Sequence, residues 1–319
     1  MSLGNLATEG PESVLGLMKV LYFLFSLLVA QLAWADADKL FQEARALIGQ
    51  DNPKAFKLME KAAGEGSANA EGGLGYFYAQ GIEVPKDEAK AAEYFRKGAE
   101  GGSARSQMNY ATALLSGQGV EKDPAAAVPW LEKAAEAGVP EAQERLGLAI
   151  FHGDLIEGVG RDDEKARQLL YAASEAGRPQ AQNAYAYMLS RARGGRGDEA
   201  GAETWYRRAA KQGEPKSMAN LGRMLFNSGA KDRTRRVEGL KWLMVAKVLD
   251  EPTAKNTLAE YQVNADGTEW SEAQKEADRM AYQLRFKAAL TKQEKTKRPI
   301  AVDKGSQAPA SSPTTQSGD

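Results

Sequence analysis

The chain has 319 residues, 42 Lys and Arg against 43 Asp and Glu, one histidine and no cysteine. A net charge of −1 gives no overall bias toward nucleic acid or membrane. One histidine and no cysteine together remove disulfides, thiolate catalysis, Cys/His zinc sites and nucleophile–histidine dyads, while the length is ample for a sizeable core.

Met1 to Leu17 shows no apolar periodicity. Then come Met18-Lys19, an apolar run from Val20 to Val29, and Ala33-Trp34-Ala35 ahead of Asp36. These are the positive n-region, the h-region and the A-x-A site of a secretory signal, and the run is short for a bilayer span. The expectation is cleavage after Ala35, with Met18 a plausible start and residues 1–17 an upstream extension; an uncleaved anchor is the alternative. No Cys follows the h-region, which closes the lipid-anchored route. The mature chain is expected to be periplasmic or secreted.

Asp38 to Ile48 then reads as an amphipathic helix through Leu40, Phe41, Ala44, Leu47 and Ile48. Ser103 to Gly138 reads as a helical hairpin. Its first helix runs from about Ala104 to Ser116, with Tyr110, Ala111 and Leu114 on one face, and Gly117 and Gly119 break it. Asp123 and Pro124 suit the N-cap and first position of the second helix. Ala127, Trp130, Leu131 and Ala134 form its apolar stripe, and Gly138 suits the left-handed position that ends it.

The pattern recurs. Steps of 36 residues back from Asp123, Trp130, Leu131 and Gly138 give Asp87, Tyr94, Phe95 and Gly102, then Asp51, Leu58, Met59 and Gly66. Forward steps give Asp162, Leu169, Leu170 and Gly177, then Asp198, Trp205, Tyr206 and Gly213, then Trp242 and Leu243 with Asp250 in place of the glycine. The first helices repeat Leu74-Gly75, Tyr110-Ala111, Leu146-Gly147, Tyr185-Ala186 and Leu221-Gly222. The small residue allows close helix approach, and Tyr94, Trp130, Trp205 and Trp242 are expected in the core. A period of this length marks a solenoid of helix pairs.

On these residues, Leu74 to Gly102 resembles the Sel1-like repeat, a relative of the tetratricopeptide repeat. The matching positions are Leu74-Gly75, Tyr78, Gly81, Val84, Asp87, Ala91, Tyr94, Ala99 and Gly102, and the next hairpin matches at Gly117, Gly119-Val120, Asp123, Trp130, Ala134-Ala135 and Gly138. The resemblance runs from Asp51 to Asp250. It implies an all-α, right-handed superhelical solenoid that holds other proteins. The matched positions are packing, cap and turn residues, so they say little about function.

Four segments are expected: extension and signal (1–35), repeat solenoid (36–262), capping helix (263–290) and a disordered tail (291–319). Asp154 to Gly160 is an insertion that lengthens one repeat, and Pro252 to Gln262 is the first helix of a seventh, incomplete repeat with Leu258-Ala259 in register. Ser271-Glu272-Ala273-Gln274 reads as the capping box of a helix reaching about Leu290, apolar on one side through Ala273, Ala277, Met280, Ala281 and Leu284. Ala308 to Asp319 has the Pro/Ser/Thr composition of a disordered segment. Pro129, inside a second helix, should bend it or delay its start.

No residue stands out as catalytic. His152 reads as a helix-end cation. The recurring aspartates are caps, Gly194-Gly195-Arg196-Gly197 lacks the Lys-Ser/Thr of a phosphate loop, and Asp198 of the Arg196-Gly197-Asp198 tripeptide is already a cap. No metal site and no cofactor are expected. Charge, however, is segregated: residues 36–177 carry 16 basic and 24 acidic side chains, and residues 178–247 carry 15 basic and 6 acidic. Either this is drift on a solvated surface, or an anionic protein partner docks through Arg191, Arg193, Arg196, Arg207, Arg208, Arg233, Arg235 and Arg236. The display row of the first helices, Tyr76, Thr112, Leu148, Tyr187 and Arg223, turns from apolar to basic in step with that count. The expectation is an exported, non-catalytic interaction scaffold. The rivals are a cell-wall or β-lactam hydrolase and a binder of anionic glycan or lipid.

Overall fold

The computed structural model describes residues 11–153 and 156–297, with side chains for 18–25, 36–153 and 156–284. The far upstream residues, Asp154 and Leu155 of the insertion, and the tail beyond Lys297 lie outside the described residues, as do the side chains of Ala33-Trp34-Ala35. Among the described residues there are fourteen helices and no strand. They are α1 (Pro11–Leu47), α2 (Asn52–Gly64), α3 (Ala68–Gln80), α4 (Glu88–Glu100), α5 (Ala104–Ser116), α6 (Pro124–Glu136) and α7 (Pro140–His152), followed by α8 (Asp163–Glu175), α9 (Pro179–Ser190), α10 (Glu199–Lys211), α11 (Pro215–Ser228), α12 (Arg233–Val248), α13 (Pro252–Gln262) and α14 (Gly267–Lys297). They stack as antiparallel pairs in a right-handed superhelical solenoid.

Caps set the element boundaries. Oδ1 of Asp51, Asp87, Asp123, Asp162 and Asp198 each accepts from the backbone N–H three residues on, at 2.8–3.1 Å. Each such cap is worth about 1 kcal/mol. The sixth second helix, α12, is capped by Asp232 through the Arg235 N–H at 3.2 Å. That is three residues ahead of the register, which is why the repeat arithmetic did not find it. Second helices give way to glycines with φ between 79° and 95° (Gly66, Gly102, Gly138, Gly177 and Gly213), and Asp250 takes the same conformation at φ 60°. A short polar side chain tolerates that region better than most.

The core is a string of three patches, Ala44 to Phe77, Met108 to Met188 and Ala186 to Ala277. The small residue of the first helix does two jobs. A Cβ on Gly222 would lie 2.7 Å from the Gly239 carbonyl, and one on Gly239 would lie 2.7 Å from that of Gly222, so α11 and α12 approach backbone to backbone. At Gly75 the space is filled by the Phe95 ring, and at Gly147 by Leu170.

A second device repeats without having been legible. Gln107, Gln143 and Gln182, one turn into α5, α7 and α9, donate through Nε2 to the carbonyls of Ala99, Ala135 and Ser174 at 3.5, 3.2 and 3.1 Å. Each glutamine ties a first helix to the end of the preceding second helix. The equivalent residue of α3 is Glu71, which has no N–H to offer; one of its carboxyl oxygens is buried without a partner, and burial raises its pKa.

Four expectations need correction. Trp130 is half-buried, edge-on to Tyr110 at 5.8 Å with the Lys133 ammonium 4.5 Å from its ring, and the fully buried residue is its neighbour Leu131. Tyr94 is half-buried too, stacked on Tyr78, whereas Trp205 and Trp242 are buried. α6 starts at Pro124 and runs through the exposed Pro129, so of the two alternatives, a bend or a late start, the late start is excluded. The capping box of α14 is not at Ser271 but at Asp266, which accepts from the Thr268 and Glu269 N–H groups while Glu269 Oε2 accepts from the Asp266 N–H. Four residues of helix therefore precede Ser271, and the backbone stays helical to Lys297, past the expected end at Leu290. In α13, Leu258 is buried but Ala259 is exposed, because no second helix packs there.

α1 is continuous from Pro11 to Leu47. Met18 and Val20 to Phe25 are more than half exposed, and Ala37 and Ala44 are fully buried. Among the described residues no helix is long and apolar enough to cross a membrane.

Candidate protein-binding face

The first helices α3, α5, α7, α9 and α11 share a register, so Tyr76, Thr112, Leu148, Tyr187 and Arg223 fall in one row, each half-buried. A half-buried row can offer contact area without being consumed by the core. Thr112 is partly spoken for, since its hydroxyl donates to the Met108 carbonyl at 2.9 Å. Around Leu148 a cleft of about 510 Å³ opens over α7. Met108, Leu115 and Leu148 give it apolar surface, and Lys122, Arg145 and Glu157 are among the charges around it. At one end Arg178 reaches Glu144 through Nε at 2.9 Å and Glu141 at 3.3 Å. Arg178 is partly buried, which opposes its charge, yet the two carboxylates outweigh this and raise its pKa.

Toward α9 and α11 the row becomes aromatic and then cationic. Tyr187 meets the Phe151 ring edge-on at 5.8 Å, and the Arg191 guanidinium lies 5.9 Å from the Tyr187 ring. Arg223 donates to Asn220 Oδ1 at 3.1 Å, and Asn220 Nδ2 donates to Asn183 at 3.0 Å. The Tyr206 hydroxyl lies within the electrostatic reach of Arg223, Tyr187 and Arg191 and hydrogen-bonds to Ser190; burial pushes its pKa up to about 12.

The other arginines expected to face a partner are largely engaged. Arg207 forms a bidentate pair with Glu238 and also donates to Glu203 at 2.9 Å, and Arg235 donates to the same Glu203 at 2.7 Å. Burial would raise the Glu203 carboxyl, but the bonds from Arg235 and Arg207 outweigh it and hold the pKa below its usual value. Arg236 pairs with Glu269 through two bonds of 3.0 Å and donates to the Asn264 carbonyl. Arg233 pairs with Glu272 at 2.8 Å, and Arg193 with Asp163 and the Phe151 carbonyl. Arg208 lies over Trp205 at 4.4 Å, with Glu175 at a long 3.9 Å. The basic surface expected across Arg207, Arg208, Arg235 and Arg236 is therefore mostly neutralised by the protein's own carboxylates. Apart from Glu203, one turn before Arg207, the carboxylate partners lie 30 to 39 positions away in the chain, too far for a charge count to reveal.

The remaining candidates behave as sequence suggests. His152 ends α7, edge-on to Phe151 at 4.8 Å. The Gly194-Gly195 loop is a turn: a Cβ on Gly194, at φ 66°, would sit 2.0 Å from the Asp163 carbonyl, and Arg167 holds the loop through the Arg193 and Arg196 carbonyls. Asp198 caps α10. Among the described residues no group of three or more His, Asp or Glu side chains is placed to hold a metal.

Comparison with known proteins agrees with this architecture. A Sel1 repeat protein from Oxalobacter formigenes is 30% identical over 60% of this chain and 75% of its own, with a TM-score of 0.47. A protective antigen of uropathogenic Escherichia coli displaying an SLR fold is 20% identical over 80% of this chain and 69% of its own, with a TM-score of 0.37. An immunity protein from Pseudomonas aeruginosa is 22% identical over 60% of this chain and 71% of its own, also with a TM-score of 0.37. No curated protein matches the chain significantly. The family model described as "Sel1 repeat" matches six consecutive segments, 29–67, 68–103, 104–139, 140–177, 179–214 and 215–243. Each boundary between consecutive segments falls where a first helix begins or a second helix has ended, the outer two lying inside α1 and α12, and proteins built this way are typically protein-interaction scaffolds; with six such repeats over most of its length, the chain belongs to the Sel1 repeat family.

Proposed function

We propose that this protein is an exported, non-catalytic scaffold of the cell envelope, cut after Ala35, which holds a protein partner on its first-helix face. The observation that carries the binding part is the half-buried row from Tyr76 to Arg223 with the cleft at Leu148. Leu148 and Tyr187 rest on the core from its edge and keep part of their surface outside it, which leaves the row available for contact. Export is supported by the signal-like segment and by where packing starts. Every described side chain from Met18 to Phe25 is exposed, and Ala37, two residues past the proposed cut, is fully buried.

Two measurements test this. N-terminal sequencing of the envelope-associated protein should start Asp-Ala-Asp-Lys; a terminus at Met1 or Met18 overturns cleavage. The mature chain, used as bait in an envelope extract, should recover a partner that is lost on Leu148→Glu with the helix content unchanged. A partner retained by that variant places binding elsewhere.

A further inference from the structure

Most later-repeat arginines are engaged, but the first-helix face is an exception. Arg145, Arg191 and Arg223, on or at the end of α7, α9 and α11, have no carboxylate within 4.0 Å among the described residues; their neighbours Arg178, Arg193, Arg207, Arg235 and Arg236 all do. A guanidinium left unpaired beside so many paired ones is free to take an external carboxylate, and its planar fork suits that group. The Arg191 guanidinium lies 5.9 Å from the Tyr187 ring, and Arg191 and Arg223 both act electrostatically on the buried Tyr206 hydroxyl, so the two cations share one end of the face. The Asn183–Asn220 amide pair lies between α9 and α11, where it can exchange hydrogen bonds with an extended backbone. One end of the same face holds the cleft over Leu148, with apolar surface from Met108 and Leu115. A cleft of that kind accepts an apolar side chain, and the cationic end adjoining it does not.

We propose that this face binds an extended acidic peptide segment, with one apolar side chain seated over Leu148 and a pair of carboxylates at Arg191 and Arg223. This rests on the reading of the protein as a scaffold and adds the chemistry of the partner. The spacing follows from geometry. Two steps of packed helices, at about 9 Å each, separate α7 from α11. An extended chain rises about 3.3 Å per residue, so anchor and carboxylates lie roughly five or six residues apart. Opposite charge steers the encounter, and the apolar anchor slows release.

The test is fluorescence anisotropy with the cleaved chain and labelled Gly/Ser peptides. The first carries one Phe and, about six positions away, two Asp. The second has Lys for both Asp, and the third has Phe adjacent to the Asp pair. The first should bind, and more weakly as salt rises; the other two should bind at least about tenfold more weakly, a loss of about 1.4 kcal/mol. Arg191→Gln with Arg223→Gln should abolish the preference for Asp over Lys at unchanged melting temperature, and Leu148→Ala should weaken the first peptide alone. Arg96→Gln, on the outer surface of α4, should change nothing. Equal binding of the Asp and Lys peptides, or an unaffected double variant, overturns the proposal. So does tighter, arginine-dependent binding of polyphosphate or of a sulfated glycan in place of the peptide. A partner recovered from envelope extract through Leu148 while none of these peptides binds would leave the scaffold reading standing and sink the acidic-peptide assignment alone.

Discussion

The first and last thirds of the solenoid share a fold but are held together differently. In α2 to α4 most ion pairs are local and exposed. Lys61–Glu65, Lys97–Glu93 and Arg96–Glu100 are spaced four residues apart on one helix, and Lys86–Glu88 lies within one turn. Such pairs contribute little. In α10 to α14 most pairs join different helices: Arg207 of α10 holds Glu238 of α12, Arg235 of α12 holds Glu203 of α10, and Arg236 holds Glu269 of α14, whose side chain is only 5% exposed, while Arg207–Glu203 lies within α10. The early repeats therefore rest on apolar packing and caps, and the later ones add a polar lattice that crosses every seam. A charge map of the sequence shows a basic domain; the folded protein shows a mortar between repeats.

The comparison is broken most directly through the apolar core, which should be alike ahead of the later repeats, as at Leu131 of α6, and within them, as at Leu243 of α12. Leu131→Ala and Leu243→Ala each remove a side chain with no exposed surface, and each should cost about 2–5 kcal/mol. Trp130→Ala should cost less than Leu131→Ala, because its ring is half outside. Calorimetry or denaturant titration measures all three. A much larger cost at Leu243 alone would show that the later repeats differ in packing as well as in charge.

Next in size is the seam. Arg236→Ala leaves the Glu269 carboxylate buried without its cation and should cost about 2–3 kcal/mol, appearing in hydrogen exchange as loss of protection in α14 and the end of α12. Arg96→Ala, on the exposed face of α4, should cost under about 0.5 kcal/mol. Equal effects would erase the distinction between the two regions.

The smallest effect is the most diagnostic, because Glu71 at the first seam and Glu203 and Glu238 at a later one shift in opposite directions. Asp163, Glu203 and Glu238 have folded pKa values below their ordinary ones. Each contributes stability that is present above its unfolded pKa and is lost as pH falls through the folded one. Acid should therefore loosen the α10–α12 seam that Glu203 and Glu238 hold. Glu71 has a raised pKa, with burial as the leading cause, so its protonated form fits the fold better and stability falls as pH rises through that value. Glu71→Gln restores the N–H donor that Gln107, Gln143 and Gln182 supply. It should stabilise the first seam by about 0.5–1 kcal/mol near neutral pH, with the difference shrinking in acid. Melting temperatures across pH check this; a variant less stable than wild type at neutral pH refutes it.

Much of the fold was legible because its determinants are local. Asp123 and Pro124 announce a helix start, Gly138 an end, and the structure places α5 at Ala104–Ser116 as the pattern indicates. Errors arise where a local signal has a nearby competitor. Ser271-Glu272 resembles a capping box, but Asp266 and Glu269 form one a turn earlier and the helix is already under way. Trp130 and Leu131 are adjacent on the stripe, and only the neighbouring hairpin decides which of them is enclosed. The row proposed for binding was legible through its register, while the state of the arginines near it was not. Arg207 and Arg223 look alike in sequence, and the first is engaged because Glu203 stands one turn before it and Glu238 one repeat beyond. The glutamine ties were missed because a polar residue recurring on a helix reads as surface until the carbonyl it meets, eight residues back, is seen.

Those ties also bear on modularity. Gln107 meets the carbonyl of Ala99, and Gln143 that of Ala135, at the same offset. Excision of residues 104–139 would place Pro140 directly after Ser103, a good cap for the helix that follows, and carry Gln143 to the Ala99 carbonyl in place of Gln107. The seam would close with the same bond on either side of the splice. What such a splice removes is Met108 and Leu115, and with them part of the cleft over Leu148. In this protein the joinery is interchangeable from one unit to the next, and the proposed recognition surface is not.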